Sequence, residues 1–289
     1  MKKLELLTIL KSLNKRQKTL IVAGVFALCF ILWVIWGNLS LQVTQYSITS
    51  DRIPESFDHF RIVQISDLHN AQFGTNNERL MEKIRAQKPD IIVITGDIVD
   101  SRRTNLSVAL SFAEQAVQIA PTYYVPGNHE GRLNYISISK SLQNVGVIPL
   151  LDKRISLTRQ GEEIALLGLI DDNCRPKGTT EDALISLMEE TDGYTLLLAH
   201  RPTFFDDYVA AGADLVLTGH VHGGQFRLPF IGGLYTPGQG LFPKYDAGLF
   251  TEGKTHMIIS RGLGNSAFPF RINNRPEIVV VTLKKGCFS

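Results

Sequence analysis

Residues 91–100, Ile-Ile-Val-Ile-Thr-Gly-Asp-Ile-Val-Asp, constrain the fold of this chain more than any other stretch. Five β-prone residues in succession, with no polar alternation, fit a strand covered on both faces in the middle of an α/β sheet. Asp97 follows just past the strand's C-terminal end, where open α/β sheets place their ligands. That position suits a carboxylate shared between two metal ions, with Asp100 close behind it.

The same grammar recurs along the chain. Phe60–Ile65 reads as a strand ending in Ser66-Asp67-Leu68-His69. Asn76 or Asn77 can cap a helix carrying Leu80, Met81 and Ile84, which stops before Pro89. Ser107–Ala120 has helical spacing and leads to a strand, Thr122–Val125, that ends in Pro126-Gly127-Asn128-His129-Glu130. A helix over Tyr135–Gln143 precedes strand-like Ile164–Leu169, and Thr180-Glu181 start another helix running to about Glu190. Tyr194–Leu198 delivers Ala199-His200; Leu215–Thr218 delivers Gly219-His220-Val221-His222. The tail holds two more strand candidates, Met257–Ser260 and Ile278–Leu283, separated by a tight loop at Gly262–Asn265. Alternating strands and helices predict a largely parallel sheet with right-handed crossovers in the first half. The strand-only tail predicts a second, mixed sheet.

Leu20–Gly37 is an uncharged apolar run. At about 1.5 Å per residue it spans roughly 27 Å, close to the ~30 Å hydrocarbon core. Trp33 and Trp36 sit at its outer end, where interfacial indoles are common. Lys2, Lys3, Lys11, Lys15, Arg16 and Lys18 precede it, and the next basic residue is Arg52. The asymmetry predicts a single-pass membrane anchor with a cytoplasmic N-terminus and an extracytoplasmic body. The competing reading is a cleaved signal peptide, but the run is longer than a usual apolar core and no small-x-small site follows. Leu4–Leu13 fits either a short amphipathic helix on the inner leaflet or a solvated basic leader. The expected organisation is a leader over 1–19, an anchor over 20–37, a connector over 38–50 and one catalytic domain over 51–289.

Composition narrows the function. With a net charge of +2 the chain gives no reason to expect nucleic-acid binding. Cys29, Cys174 and Cys287 have no metal-thiolate spacing, and unpaired thiols are expected, with one 174–287 bridge left open. The polar strand endings are more informative: Asp67/His69, Asp97/Asp100, Asn128/His129, His200 and His220/His222. A lone Asp after a strand is usually a helix cap, and a lone His is usually a core or surface residue. Gathered at one edge, unpaired polar groups would be costly to desolvate, and cations remove that cost. Carboxylate, imidazole and amide oxygen without thiolate suit Mn²⁺, Fe or Zn²⁺.

In order, these blocks resemble the calcineurin-like metallophosphoesterases: Asp67-x-His69, Gly96-Asp97-x-x-Asp100, Gly127-Asn128-His129-Glu130, a lone His200, and Gly219-His220-x-His222. The resemblance extends over roughly Phe60–Leu283. Gly223-Gly224-Gln225, Leu228-Pro229-Phe230 and Arg261–Gly264 are similar to the membrane-linked bacterial branch, which includes UDP-2,3-diacylglucosamine pyrophosphohydrolase-type enzymes. The resemblance implies a four-layer αββα sandwich of two mixed sheets, with the metal site at strand C-terminal ends. It implies one metal held by Asp67, His69, Asp97 and His222, and a second by Asp97, Asn128, His200 and His220. His129 would face the substrate as proton donor, oriented by Asp100. The implied activity is hydrolysis of a phosphoester or pyrophosphate bond by a hydroxide that two divalent ions, Mn²⁺ foremost, activate. A phosphate-bearing small molecule or lipid is the expected substrate. The alternative is a catalytically silent binding or scaffold protein of the same fold; a protein phosphatase fits the anchor less well. Arg227, Arg261, Arg271 and Arg275 could reach substrate phosphate or could form plain salt bridges. Phe226, Phe230, Leu234, Leu241, Phe242, Phe268 and Phe270 could be core, or an apolar rim suited to a lipid.

Overall fold

The computed structural model of the protein describes residues 13–189, 191–265 and 268–286. The leader lysines Lys2, Lys3 and Lys11, the segment Leu4–Ser12, Glu190 and Cys287 lie outside them.

The two sheets are assembled from β1 (Gln42–Ser50), β2 (Arg61–Ile65), β3 (Ile91–Thr95), β4 (Thr122–Val125), β5 (Ile148–Pro149), β6 (Lys153–Arg159), β7 (Glu162–Gly168), β8 (Thr195–Leu198) and β9 (Leu215–Thr218). Two small hairpins follow, β10 (Arg227–Leu228) with β11 (Gly232–Gly233), and β12 (Tyr235–Thr236) with β13 (Gly240–Leu241). β14 (Gly248–Glu252), β15 (Thr255–Ile259) and β16 (Glu277–Lys285) complete the set. The first sheet runs β1-β16-β2-β3-β4-β5 and the second β14-β15-β9-β8-β7-β6. β2 to β5 are mutually parallel, as are β7, β8, β9 and β15, while the β16–β2, β6–β7 and β14–β15 pairs are antiparallel.

Strand alternation sorts the core into three layers. Ile62, Val93, Val125 and Val279 face the second sheet's Leu166, Leu196, Leu198, Leu217 and Ile258. Their neighbours Val63, Ile92, Tyr124 and Val280 face helices Glu78–Ala86, Leu106–Ala116 and Tyr135–Asn144 through Leu80, Ile84, Phe112 and Leu142. On the far side, Leu197, Val216 and Met257 pack on helices Thr180–Met188 and Phe205–Ala210 through Leu184, Leu187 and Phe205. The expected four-layer αββα sandwich is therefore the fold adopted.

Several local expectations need correction. The segment expected as a polar connector, 38–50, contains β1, paired in parallel along β16. As an edge strand it buries little beyond Ile48, so its sequence carries few of the apolar marks of a strand. β6 and β14 escaped notice for the same reason: each is an outer strand of the second sheet with mostly solvent-facing positions. The tail does not build a sheet of its own. β15 joins the second sheet and β16 inserts between β1 and β2 of the first, where Ile278–Val281 are buried. The helix expected over Ser107–Ala120 ends at Ala116. Asn77 stands at the N-cap position of its helix, but its carboxamide oxygen accepts the Phe73 N–H (2.8 Å) and so ties the preceding loop instead.

At the N-terminus, Lys15–Leu39 forms one 25-residue helix opened by a reciprocal Asn14–Gln17 capping box. It is long and apolar enough to cross a membrane, and the domain buries none of it. Leu39 ends this helix and Gln42 starts β1, so only Ser40 and Leu41 separate it from the sheet.

Candidate metal centre

Asp67, Asp97, Asn128, His200 and His220 all stand within three residues of the C-terminal ends of β2, β3, β4, β8 and β9. Five of the seven expected ligands sit in the left-handed backbone region: Asp67 (φ 51°), His69 (44°), Asp97 (53°), His220 (72°) and His222 (49°). For non-glycine residues this conformation costs roughly 1–2 kcal/mol each. The loops hold it through close approach of glycines. A side chain at Gly96 would strike the Nδ1 of His200 and the backbone of Gly127, and one at Gly219 would strike Ser66 Oγ and the Asp67 carboxylate. Gln64 fixes the two sheets at this edge, its amide donating to Thr95 Oγ1 (2.9 Å) and across to Thr218 O (2.8 Å).

The buried side chains converge in two groups around Asp97. On one side, His69 Nε2 and His222 Nε2 face each other at 3.2 Å, with Asp67 Oδ1 3.4 Å from His222 Nε2. On the other, His200 Nε2 and His220 Nδ1 are 3.2 Å apart, and Asn128 Oδ1 lies 3.1 Å from His200 Nε2. Asp97 Oδ2 stands between them, 3.5 Å from His69 Nε2 and 3.3 Å from His200 Nε2. The other Asp97 oxygen accepts the His129 N–H at 2.8 Å. His200 Nδ1 meets the Thr95 carbonyl at 2.8 Å; a carbonyl only accepts, so this nitrogen carries the proton and Nε2 offers its lone pair.

The electrostatics fit cations. Burial pushes the Asp67 carboxyl up to about 6 and His69 down to about 3, and it holds His220 and His222 well below the ordinary histidine value. These imidazoles are therefore neutral, with lone pairs available. Burial opposes charge on His200 as well, yet the Asp97 carboxylate raises its pKa to about 10, so a proton occupies the place a cation would take. Asp67/His69/His222 and Asp97/His200/His220 each bring three ligand atoms within 4.8 Å of one another. A third such group pairs His69 and Asp97 with His129. The Nδ1 of His129 is otherwise engaged: it accepts the Ser101 N–H (3.0 Å) and lies 3.3 Å from Asp100 Oδ1.

Three residues outside the expected set contribute to the site. Glu130, quoted only as part of a motif, is fully buried and accepts three backbone N–H groups, from Gly127 (2.7 Å), Asp97 (2.8 Å) and Val99 (3.0 Å). It clasps the β3 and β4 loops together; its position two residues after Asn128 was the available signal. The cavity over the cluster is lined by Asp97, Asn128, His129, His220, Gln225 and, as its arginines, Arg102 and Arg132. The four arginines considered for phosphate are occupied elsewhere. Arg227 pairs with Asp246 (2.9 Å) and Arg261 with Glu277 (2.8 Å). Arg271 is buried against the Arg261 and Gly264 carbonyls, with its guanidinium 3.4 Å from His222 Nδ1. Arg275 donates to Ser40 and Leu41. Cys174 is buried and unpaired.

The profile of the calcineurin-like phosphoesterases matches residues 60–224, more than half of the chain, a span that includes Asp67, His69, Asp97, Asn128, His200, His220 and His222. The chain belongs to this family. A calcineurin-like phosphoesterase is a hydrolase acting on phosphoester bonds, and its paired His/Asp groups are candidates for divalent metal binding. Among its relatives, an uncharacterized metallophosphoesterase of Bacillus subtilis, YkuE, is 32% identical, covering 84% of this chain and 86% of the relative. The phosphodiesterase YaeI of Escherichia coli is 29% identical over 78% of this chain and 82% of its own length. A transmembrane protein with a metallophosphoesterase domain from Danio rerio is 29% identical over 85% of this chain and 58% of that protein.

Proposed function

We propose that the chain is a membrane-anchored phosphohydrolase that uses two divalent cations, Mn²⁺ foremost, on a phosphoester or pyrophosphate bond of a lipid-linked substrate. One cation is assigned to Asp67, His69, Asp97 and His222, the other to Asp97, Asn128, His200 and His220. The observation that carries this reading is the pair of 3.2 Å imidazole contacts flanking one carboxylate oxygen, since ring nitrogens are aimed at each other so closely where a shared cation belongs. When bound, such ions lower the pKa of water toward ~7 and offset the charge of phosphoryl oxygens.

The remaining steps fall to the chain's own groups. The Ser101 N–H holds the lone pair of neutral His129 on Nδ1, so its ring proton resides on Nε2. Burial lowers the pKa of His129, with the Arg132 and Arg102 charges adding to that shift and the Asp97 and Asp100 carboxylates opposing it. His129, once protonated, is assigned as donor to the leaving oxygen through Nε2; its Nδ1–H then donates to Asp100 Oδ1, 3.3 Å away, in place of the Ser101 contact, and a neutral imidazole remains after donation. Arg102 and Arg132, on the cavity wall, are assigned to the phosphate oxygens. Tyr235, Pro237 and Phe268 line the same cavity and give it an apolar side suited to a lipid-bearing leaving group.

Mn²⁺-dependent hydrolysis of bis-p-nitrophenyl phosphate tests the chemistry. His129→Ala is expected to lower the rate roughly 10²–10⁴-fold, the scale of general acid catalysis, at unchanged metal content. Equal loss of metal and activity would remove the role given to His129. Faster turnover of the soluble ester than of a lipid pyrophosphate in micelles would count against the lipid.

A further inference from the structure

Outside the N-terminal helix, eight of the twelve exposed large apolar side chains of the described residues lie between positions 228 and 270 on two hairpins and one following segment, while Ile136, Ile148, Ile185 and Leu249 stand apart. The eight include Phe230, Ile231, Leu241 and Phe242 on the two hairpins β10–β11 and β12–β13, and Phe268 and Phe270 on the segment that follows β15. Phe230 projects completely, at 109% relative exposure, and both Phe230 (φ 66°) and Phe242 (φ 53°) take a left-handed backbone that non-glycine residues rarely adopt. Contiguous apolar patches of this kind mark interaction surfaces.

The patch is tied directly to the end of the N-terminal helix. Asn38, in that helix's last turn, exchanges two hydrogen bonds with the Arg271 backbone, Nδ2 to O (2.9 Å) and N–H to Oδ1 (2.8 Å). The Arg275 guanidinium lies 5.0 Å from the centroid of the Trp36 ring and donates to Ser40 and Leu41, the two residues between helix and sheet. The domain is therefore clamped to the helix end with no free linker. The clamped segment also carries the patch: Phe268 and Phe270 pack on Phe226 (5.2 and 5.6 Å between centroids), and Arg227 at the start of β10 donates its N–H to Ile272 O. Phe226, Phe268 and the hairpins are thus joined by ring contacts and backbone hydrogen bonds to the segment that holds the helix terminus, where Trp33 and Trp36 mark the interfacial level.

We infer that the β10–β13 hairpins insert Phe230, Ile231, Leu241 and Phe242 into the interfacial layer of the same bilayer that the helix spans. The cavity over the metal centre, with Phe268, Tyr235 and Pro237 on its wall, then opens at the lipid surface. A substrate could present its phosphate there while its acyl chains stay in the membrane. This rests on the anchor in the proposed function, and the test separates the two.

The full chain, with Cys29→Ser and Cys287→Ser and with Cys174 left buried, is reconstituted in phosphatidylethanolamine–phosphatidylglycerol liposomes. Spin labels are placed singly at Phe230→Cys, Phe242→Cys, Leu28→Cys in the helix and Ile185→Cys on the far side of the second sheet. All four sites are exposed, so the labels leave packing intact. The expected result is that labels at 230 and 242, like that at 28, are relaxed by oxygen and shielded from an aqueous nickel chelate, with a several-fold higher ratio than at 185. Labels at 230 and 242 that match 185 while 28 lies in lipid would overturn the docking surface and spare the anchor. Shielding of 230 and 242 from both reagents would indicate burial against another protein copy and would also overturn it. If 28 itself matches 185, the anchor falls and the surface with it.

Discussion

Glu130→Gln perturbs the metal centre without touching a proposed ligand. One carboxylate oxygen accepts the Gly127 and Asp97 N–H groups at 2.7 and 2.8 Å, and the other accepts Val99 at 3.0 Å. A glutamine keeps one acceptor oxygen and turns an NH₂ toward the remaining backbone N–H. One buried donor is then orphaned, at about 1–3 kcal/mol, and two charge-assisted bonds of about 1.5–3 kcal/mol each fall to the neutral range of about 0.5–1.5. Burial, and next the Asp97 charge, push the Glu130 carboxyl up to about 7, so replacing it returns part of that cost. The net expectation is roughly 2–4 kcal/mol of lost stability, accompanied by weaker Mn²⁺ binding because the Asp97 backbone is no longer fixed. Both tryptophans lie in the N-terminal helix, so chemical denaturation should be followed by far-ultraviolet circular dichroism, with metal content measured after equilibrium dialysis. A variant within about 0.5 kcal/mol of the parent, the typical scale of an inconsequential surface change, and fully metal-loaded, would refute the clasp.

Other perturbations follow from the same geometry. Gly219→Ala drives a methyl into Ser66 Oγ and the Asp67 carboxylate, so metal content should collapse while the far-ultraviolet spectrum persists; retention of two equivalents of metal would contradict it. Arg271→Met leaves the Arg261 and Gly264 carbonyls without their donor and should cost about 3 kcal/mol in thermal or chemical denaturation. Proton and cation compete for the Asp67 oxygens, so Mn²⁺ uptake measured by dialysis should fall as the pH drops through about 6 and recover above it. The Asp97 carboxylate holds a proton on His200, against the effect of burial, with a pKa of about 10; cation binding near neutral pH should therefore expel a proton. Calorimetry of Mn²⁺ binding in buffers of different ionisation enthalpy reads that proton, and identical heats would argue against it.

How far the sequence could be read depended on how deeply each segment is buried. β3, β4, β8 and β9 lie inside their sheets with every residue buried, and their apolar runs announced both strand and motif. β1, β6 and β14 sit at sheet edges, where half-exposed positions accept polar residues, and so they resembled loops. The arginines show the same limit. Arg227 and Arg261 looked available for phosphate, but their acidic partners Asp246 and Glu277 are brought beside them by folding. Arg102 and Arg132 line the cavity, although no spacing distinguished them.

The sequence alone determined the family, the α/β alternation and the identities of the polar groups at five strand ends, because strand burial and ligand chemistry are properties of short segments. Only the tertiary structure decided that β16 enters the first sheet, that Glu130 joins two loops, and that the helix terminus is locked to the aromatic patch. Those relations link residues far apart along the chain, Asn38 with Arg271 and Asp67 with His222, and a linear pattern carries no record of the distances that folding creates between them.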